Sequence, residues 1–265
     1  MRRFHLIEIE DQSWCPGPIR DAATDYLQHV IVTANAYGPI AGRLAKALRK
    51  TNSQQVIDLC SGGGGPWLGL YREFADDHLP VAVCLTDLYV NHKAFKRAES
   101  LSNGRLAFHP EPVDATHVPA ELAGFRTLFT SFHHFTPEQA RAILRAAVNA
   151  RRGIGVFEAT QRSIVALLSM CLTPLMVWLF TPFIRPFKWS RLLWTYAIPI
   201  VPLVVMFDGI VSCLRTYTIS ELQQLAAELP EAGYKWEIGQ EKGRGSPMGV
   251  TYLIGYPVES MNADK

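Results

Sequence analysis

Four consecutive glycines, Gly62 to Gly65, follow the apolar run Val56-Ile57-Asp58-Leu59 after only Cys60 and Ser61. Glycine is used where the backbone must take φ > 0 or touch a ligand, and each one adds unfolded-state entropy that folding must remove. Four in a row behind a buried strand point to a bound ligand, the competing reading being a flexible loop. A strand, a glycine turn and a helix from Trp67 to Phe74 compose the first βα unit of a nucleotide-type site. Asp87 and Asp114 follow the next two apolar runs. A carboxylate at the end of the second strand can accept from a ribose diol, or else cap the following helix. Asp114 can receive an exocyclic amine, or else make a plain turn. Ser131 to His134, and then Glu158, stand at the ends of strands four and five.

These residues need a sheet to bring them together, and the chain alternates accordingly. Strands are predicted at 56–59, 81–86, 106–112, 127–132 and 153–158, with helices at 67–74, 91–101 and from Thr136-Pro137-Glu138 onward. Thr136 as N-cap with proline at N1 is a favoured helix start. Such alternation means βαβ units and a parallel sheet with right-handed crossovers. Ahead of it, residues 4–20 read as an extended or turning lead-in containing Trp14, Pro16 and Pro18. Helices then run from about Asp21 past Ala34, to a break at Gly38-Pro39, and from Ile40 to Leu48. Behind it come an amphipathic helix opened by Ser220 and a closing β-hairpin, Lys235 to Ile238 and Val250 to Tyr256, around a glycine-rich turn.

At 265 residues the chain can hold one large α/β domain, with or without a sizeable insertion. Its 19% charged content is below the roughly 25% of an average globular protein. A net charge of +2 gives no case for a nucleic-acid partner. Five scattered cysteines, with no CxxC pair, exclude a disulfide framework and a recognisable zinc site and fit a reducing compartment, read as the cytoplasm. No metal cluster is read, and His5, His78, His92, His109 and His117 are taken as surface or turn histidines.

Asp58-Leu59-Cys60-Ser61-Gly62-Gly63-Gly64 resembles the Asp-x-Gly-x-Gly-x-Gly first motif of class I S-adenosylmethionine (SAM) methyltransferases, with Cys60 where the family has its first glycine. Asp87 matches the family's ribose-binding acid and Asp114-Ala115 its adenine-contacting segment. Thr130-Ser131-Phe132-His133-His134-Phe135 is similar to the segment after strand four in the ubiquinone- and small-molecule-methylating branch. The glycine spacing of a dinucleotide dehydrogenase would instead require Pro66-Trp67 where a helix should begin. The resemblance implies a Rossmann-like α/β sheet with helices on both faces and SAM as methyl donor. It assigns the cofactor to Asp58, Cys60, Ser61, Gly62, Gly64, Asp87, Leu88, Asp114, Ala115 and Ser131. Methyl transfer to a proton-bearing acceptor requires a base, and a histidine titrates near neutral pH. His133 and His134 are the first candidates, one of them being open to a packing role; Glu158, Tyr26 and His29 come after. Four segments are expected: an N-terminal helical cover (1–50), a SAM-binding core (51–162), an apolar helical insertion after strand five (163–214) and a C-terminal helix with hairpin (215–265).

The insertion bears on the acceptor. Residues 163–214 are almost wholly apolar apart from Arg185 to Arg191, and each half is near the roughly 20 residues that span a bilayer core. Three readings compete: a membrane-associated broken-helix cap, a cap over a pocket for a lipophilic acceptor, or a homo-oligomer interface. Pro174 and Pro182 in the first apolar half, with Pro199, Pro202 and Asp208 in the second, oppose two straight spanning helices. The expected activity is methylation of a lipophilic small molecule at a cytoplasmic membrane face, the alternative being a SAM-binding scaffold without chemistry.

Overall fold

The computed structural model describes residues 1–76, 79–229, 233–243 and 249–258. In chain order the elements are α1 (Gly17–Thr33), α2 (Gly38–Lys50), β1 (Gln55–Leu59), α3 (Trp67–Asp76), β2 (Ala82–Leu85), α4 (His92–Leu101) and β3 (Leu106–Phe108). Then come β4 (Phe125–Phe129), a 3-10 turn (Phe132–His134), α5 (Pro137–Asn149), β5 (Ile154–Glu158), α6 (Ile164–Met170) and α7 (Thr173–Phe180). A short α8 (Trp189–Leu192) runs into a π turn, and α9 (Ile200–Arg215), α10 (Ile219–Ala227), β6 (Tyr234–Glu241) and β7 (Val250–Pro257) close the chain. The elements fall into two compact units. One comprises Tyr37–Ala159 and Ile219–Lys265, the other Met1–Ala36 and Thr160–Thr218.

The first unit is a seven-stranded sheet in the order β3-β2-β1-β4-β5-β7-β6, with helices on both faces. β1 to β5 are parallel and β7 is antiparallel, slotted between β5 and β6. β1, β4 and β5 are buried along nearly their whole length, as strands covered on both faces must be. Strand order reverses between β1 and β4, whose register pairs Leu59 with Leu128. The turns leaving those two strands are therefore neighbours, at the place where α/β sheets hold ligands. α5 opens with the expected Thr136 cap, completed by a reciprocal bond from Thr136 N–H to the Gln139 side chain. β4 sits two to three residues earlier than its predicted range, because Thr130 takes φ 43° and ends the ladder. β3 likewise stops at Phe108. The hairpin forms as read, while its glycine-rich tip (244–248) and His78 lie outside the described residues.

The second unit is helical. α1 begins at Gly17, four residues earlier than the lead-in predicts; Pro18 stands in its first turn, where no intrahelical N–H is needed. Ile19, Ala23 and Tyr26 of α1 pack with Val177 of α7 and Val201, Val204 and Val205 of α9. The N-terminal strand of chain is tied to α9 at several points. Asp208 accepts the N–H of Ile9 at 2.7 Å and of Glu10 at 3.0 Å, and Arg215 meets Glu8 at 3.3 Å. Asp25 of α1 binds Lys188 at 2.7 Å and also Arg191. Among the described residues no single helix is long and apolar enough to cross a membrane. Two consecutive pairs, Ile164–Met170 with Thr173–Phe183 and Trp189–Ala197 with Ile200–Arg215, reach that length and composition only across bends of 43° and 79°. Four of the prolines stand at starts of helical turns here: Pro174 in α7, Pro182 in the 3-10 turn at 181–183, Pro199 as N-cap and Pro202 in the first turn of α9.

Candidate functional site

The turn after β1 is built from left-handed backbone. Gly62, Gly64 and Gly65 have φ of 55°, 108° and 55°, and Cys60 takes φ 57° in the place of a glycine. A side chain in that region costs about 1–2 kcal/mol, so Cys60 supplies the conformation of the absent glycine at an energetic cost. A Cβ on Gly64 would come within 3.4 Å of Ala98.

The turn is braced from beneath by Asp58. Thr127 Oγ1 donates to one carboxylate oxygen at 2.6 Å and Ser61 Oγ to the other at 2.7 Å. Burial pushes its pKa up to about 6 even though these hydrogen bonds pull the other way. Asp58 is thus occupied within the protein, shaping the turn more than it faces a ligand. Asp87 sits at the lip: its carboxylate accepts Gly62 N–H at 2.7 Å and Tyr89 N–H at 2.8 Å. Burial raises its pKa, against the two N–H groups and the nearby imidazole of His134. The next helix is capped by Asn91, which accepts Ala94 N–H at 3.1 Å, so Asp87 is not its cap. Asp114 makes the plain turn. It is exposed, takes Thr116 N–H and Oγ1 at 2.8 and 2.7 Å, and meets His117 at 3.7 Å. Burial raises its pKa, but the Thr116 bonds and His117 together outweigh that and hold it low. Ala115 beside it is buried, whereas Leu88 is exposed.

Beyond β4, Thr130 holds its left-handed backbone by three bonds. Its N–H reaches Phe157 O at 2.7 Å, its hydroxyl accepts Ala159 N–H at 3.0 Å, and Tyr37 OH bonds the same hydroxyl. A β-branched residue stays in that region only where its surroundings over-determine it. The strained turn delivers Ser131, His133 and His134. His133 and Glu158 are both buried, with Nδ1 and Oε2 2.8 Å apart. The histidine's main-chain N–H donates to Glu158 Oε1 at 3.1 Å. The His134 ring lies against it, centroids 4.4 Å apart. Ser131 Oγ is buried with no hydrogen-bond partner among the described residues.

The predicted residues therefore gather at one end of the sheet, with Glu158 paired directly to a histidine. Tyr26 and His29 belong to the helical unit, where Tyr26 lies in its core and His29 lies beside Phe180. Tyr37 belongs to no motif, and Thr130, though first in the segment that resembles the family's post-strand-four stretch, is not among the predicted site residues, because its bonds to Tyr37, Phe157 and Ala159 come from parts of the chain distant in sequence. His5, His92 and His117 are exposed and His109 is half-buried.

No model of a known protein family matches the chain, and no curated protein matches it. Solved structures do. The plantazolicin methyltransferase BpumL, in complex with SAH, superposes with a TM-score of 0.58 at 13% identity over 94% of each chain. The O-methyltransferase NcsB1 from neocarzinostatin biosynthesis, in complex with SAM and 2-hydroxy-5-methyl naphthoic acid, gives 0.52 at 16% identity. It covers 91% of this chain and 59% of its own. TnmH gives 0.50 at 18% identity, covering 89% and 58%.

Proposed function

We propose that this chain, whose fold is the Rossmann-like class I methyltransferase fold, transfers a methyl group from SAM to a hydroxyl of a hydrophobic small molecule. The observation that carries the reading is the buried His133–Glu158 pair beside a glycine turn with an acid at its lip. The residues fit the cofactor: left-handed glycines leave backbone without side chains, and Ser131 Oγ is a buried polar atom with no hydrogen-bond partner among the described residues. Gly62, Gly64, Asp87 and Ser131 would hold it, with Asp58 and Cys60 shaping the turn. Bound there, SAM supplies a methyl group on a sulfonium.

The protein's part is alignment, exclusion of water and removal of a proton. The Glu158 carboxylate accepts from Nδ1–H of His133, which selects the tautomer with its lone pair on Nε2. Nε2 then takes the acceptor's hydroxyl proton, and the carboxylate stabilises the imidazolium. The bound naphthoic acid of NcsB1 carries such a hydroxyl on an apolar ring, which supports an acceptor of that class. The odd, scattered cysteines, none of them in a disulfide, support action in a reducing compartment.

Calorimetry with SAM and SAH, followed by turnover against a panel of lipophilic phenols and naphthols, tests the proposal. Both ligands are expected to bind and a phenolic acceptor to be methylated. Binding of neither ends the reading, and binding without transfer to any acceptor leaves the scaffold alternative.

A further inference from the structure

We infer that the helical unit docks on the surface of a lipid bilayer through the apolar face carried by α6, α7 and the turns up to residue 198. Leu168, Leu172, Leu175 and Leu179 follow one another at helical spacing, and they are 64%, 61%, 57% and 55% exposed. Trp189, at 78%, is the most exposed large apolar side chain among the described residues. Soluble monomers rarely leave an apolar patch of this extent to water.

Charge and length select a bilayer as the occupant. From Ala159 to Phe207 there is no aspartate or glutamate, so the segment brings no carboxylate towards lipid phosphates. Of its basic residues, Lys188 and Arg191 are engaged by Asp25, while Arg185 is exposed and donates to Pro182 O at 3.0 Å. Each bent helix pair has the apolar length of a bilayer segment, but bends of 43° and 79° suit an interfacial lie more than a crossing. The polar atoms of two interface-type aromatics are satisfied internally: Trp178 Nε1–H donates to Thr195 O at 3.0 Å and Tyr196 OH to Trp178 O. Contact is thus mainly apolar, with Arg185 as a minor headgroup anchor. The inference rests on the proposed lipophilic acceptor only for its purpose, since such an acceptor partitions into the same layer.

The test is flotation of the full-length protein with phosphatidylcholine vesicles, with and without phosphatidylglycerol. The wild type should float with both. Leu168→Glu, Leu172→Glu, Leu175→Glu and Leu179→Glu combined should reduce flotation by about tenfold or more, and Trp189→Ala should give a smaller loss. Leu101→Glu, also on an exposed site but on α4, should change nothing. Thermal melts of each variant distinguish loss of docking from loss of folding. No wild-type flotation, equal flotation of the combined variant, or adsorption to anionic vesicles alone would each overturn the inference. So would a dimer in light scattering that the same substitutions dissociate without any flotation. SAM affinity, measured on the same preparations, reports separately on the methyltransferase reading.

Discussion

His133 is held twice by Glu158: ring Nδ1 lies 2.8 Å from one carboxylate oxygen, and the residue's own N–H donates to the other at 3.1 Å. One side chain therefore sets both the tautomer and the backbone position of the proposed base.

Glu158→Gln should lower kcat by about 10²-fold, within the usual range for losing a well-oriented general base, with SAM affinity nearly unchanged. His133→Asn should lower kcat at least as far, since it removes the proposed base itself. Stopped turnover assays across pH, alongside calorimetry, separate the two effects; an E158Q variant with wild-type kcat would discount the pair.

Asp87→Ala should weaken SAM binding by about 1.5–3 kcal/mol, since a charged acceptor of hydrogen bonds is removed from the lip of the glycine turn. Asp114→Ala should leave the affinity within about 0.5 kcal/mol, because that carboxylate is exposed and engaged by Thr116. Calorimetric titration with SAH decides, and the reverse ranking would mean that Asp114, not Asp87, contacts the ligand.

Cys60→Gly should stabilise the protein by about 0.5–1 kcal/mol, the left-handed penalty at φ 57° exceeding the added unfolded-state entropy. Chemical denaturation checks the sign. A destabilised variant would show that contacts of the Cys60 side chain outweigh its backbone strain.

Stability should fall with pH through Glu10. Burial, then Asp208, Glu8 and Asp11, push its pKa from 4.5 to about 8. The folded state binds this proton more tightly than the unfolded chain, so the contribution is full below 4.5 and lost as pH rises through about 8. Asp58, raised from 3.8 to about 6, adds a slope of the same sign at lower pH. Melting curves of Glu10→Gln should decline less than those of the wild type between those limits, and parallel curves would remove Glu10 from the account.

The glycine turn, the β1–α3 unit, the Thr136 cap and the order of strands and helices were legible in the chain because each depends on neighbours in sequence. Glycine marks left-handed backbone, and period and proline placement mark helices and strands. Boundaries were less legible: β3 and β4 end earlier than their apolar runs, and α1 starts earlier, because prolines that suit a first helical turn look the same as prolines in an extended lead-in.

Sequence alone thus determined which residues reach the carboxyl ends of the parallel strands: Gly62 to Gly65, Asp87, the 131–134 turn and Glu158. It could not rank them, because rank depends on partners far away in the chain. Tertiary structure assigned Asp58 to Thr127 and Ser61, Asp114 to its own turn, and Glu158 to His133 across 25 residues. That last pairing exists because β4 and β5 lie side by side, with Phe129 opposite Phe157, and because Thr130 turns the chain where the ladder ends. In the helical unit, Asp208 meets the N–H of Ile9 across 199 residues. Composition marks such an acid as costly, and only the fold supplies the N–H donors that satisfy it.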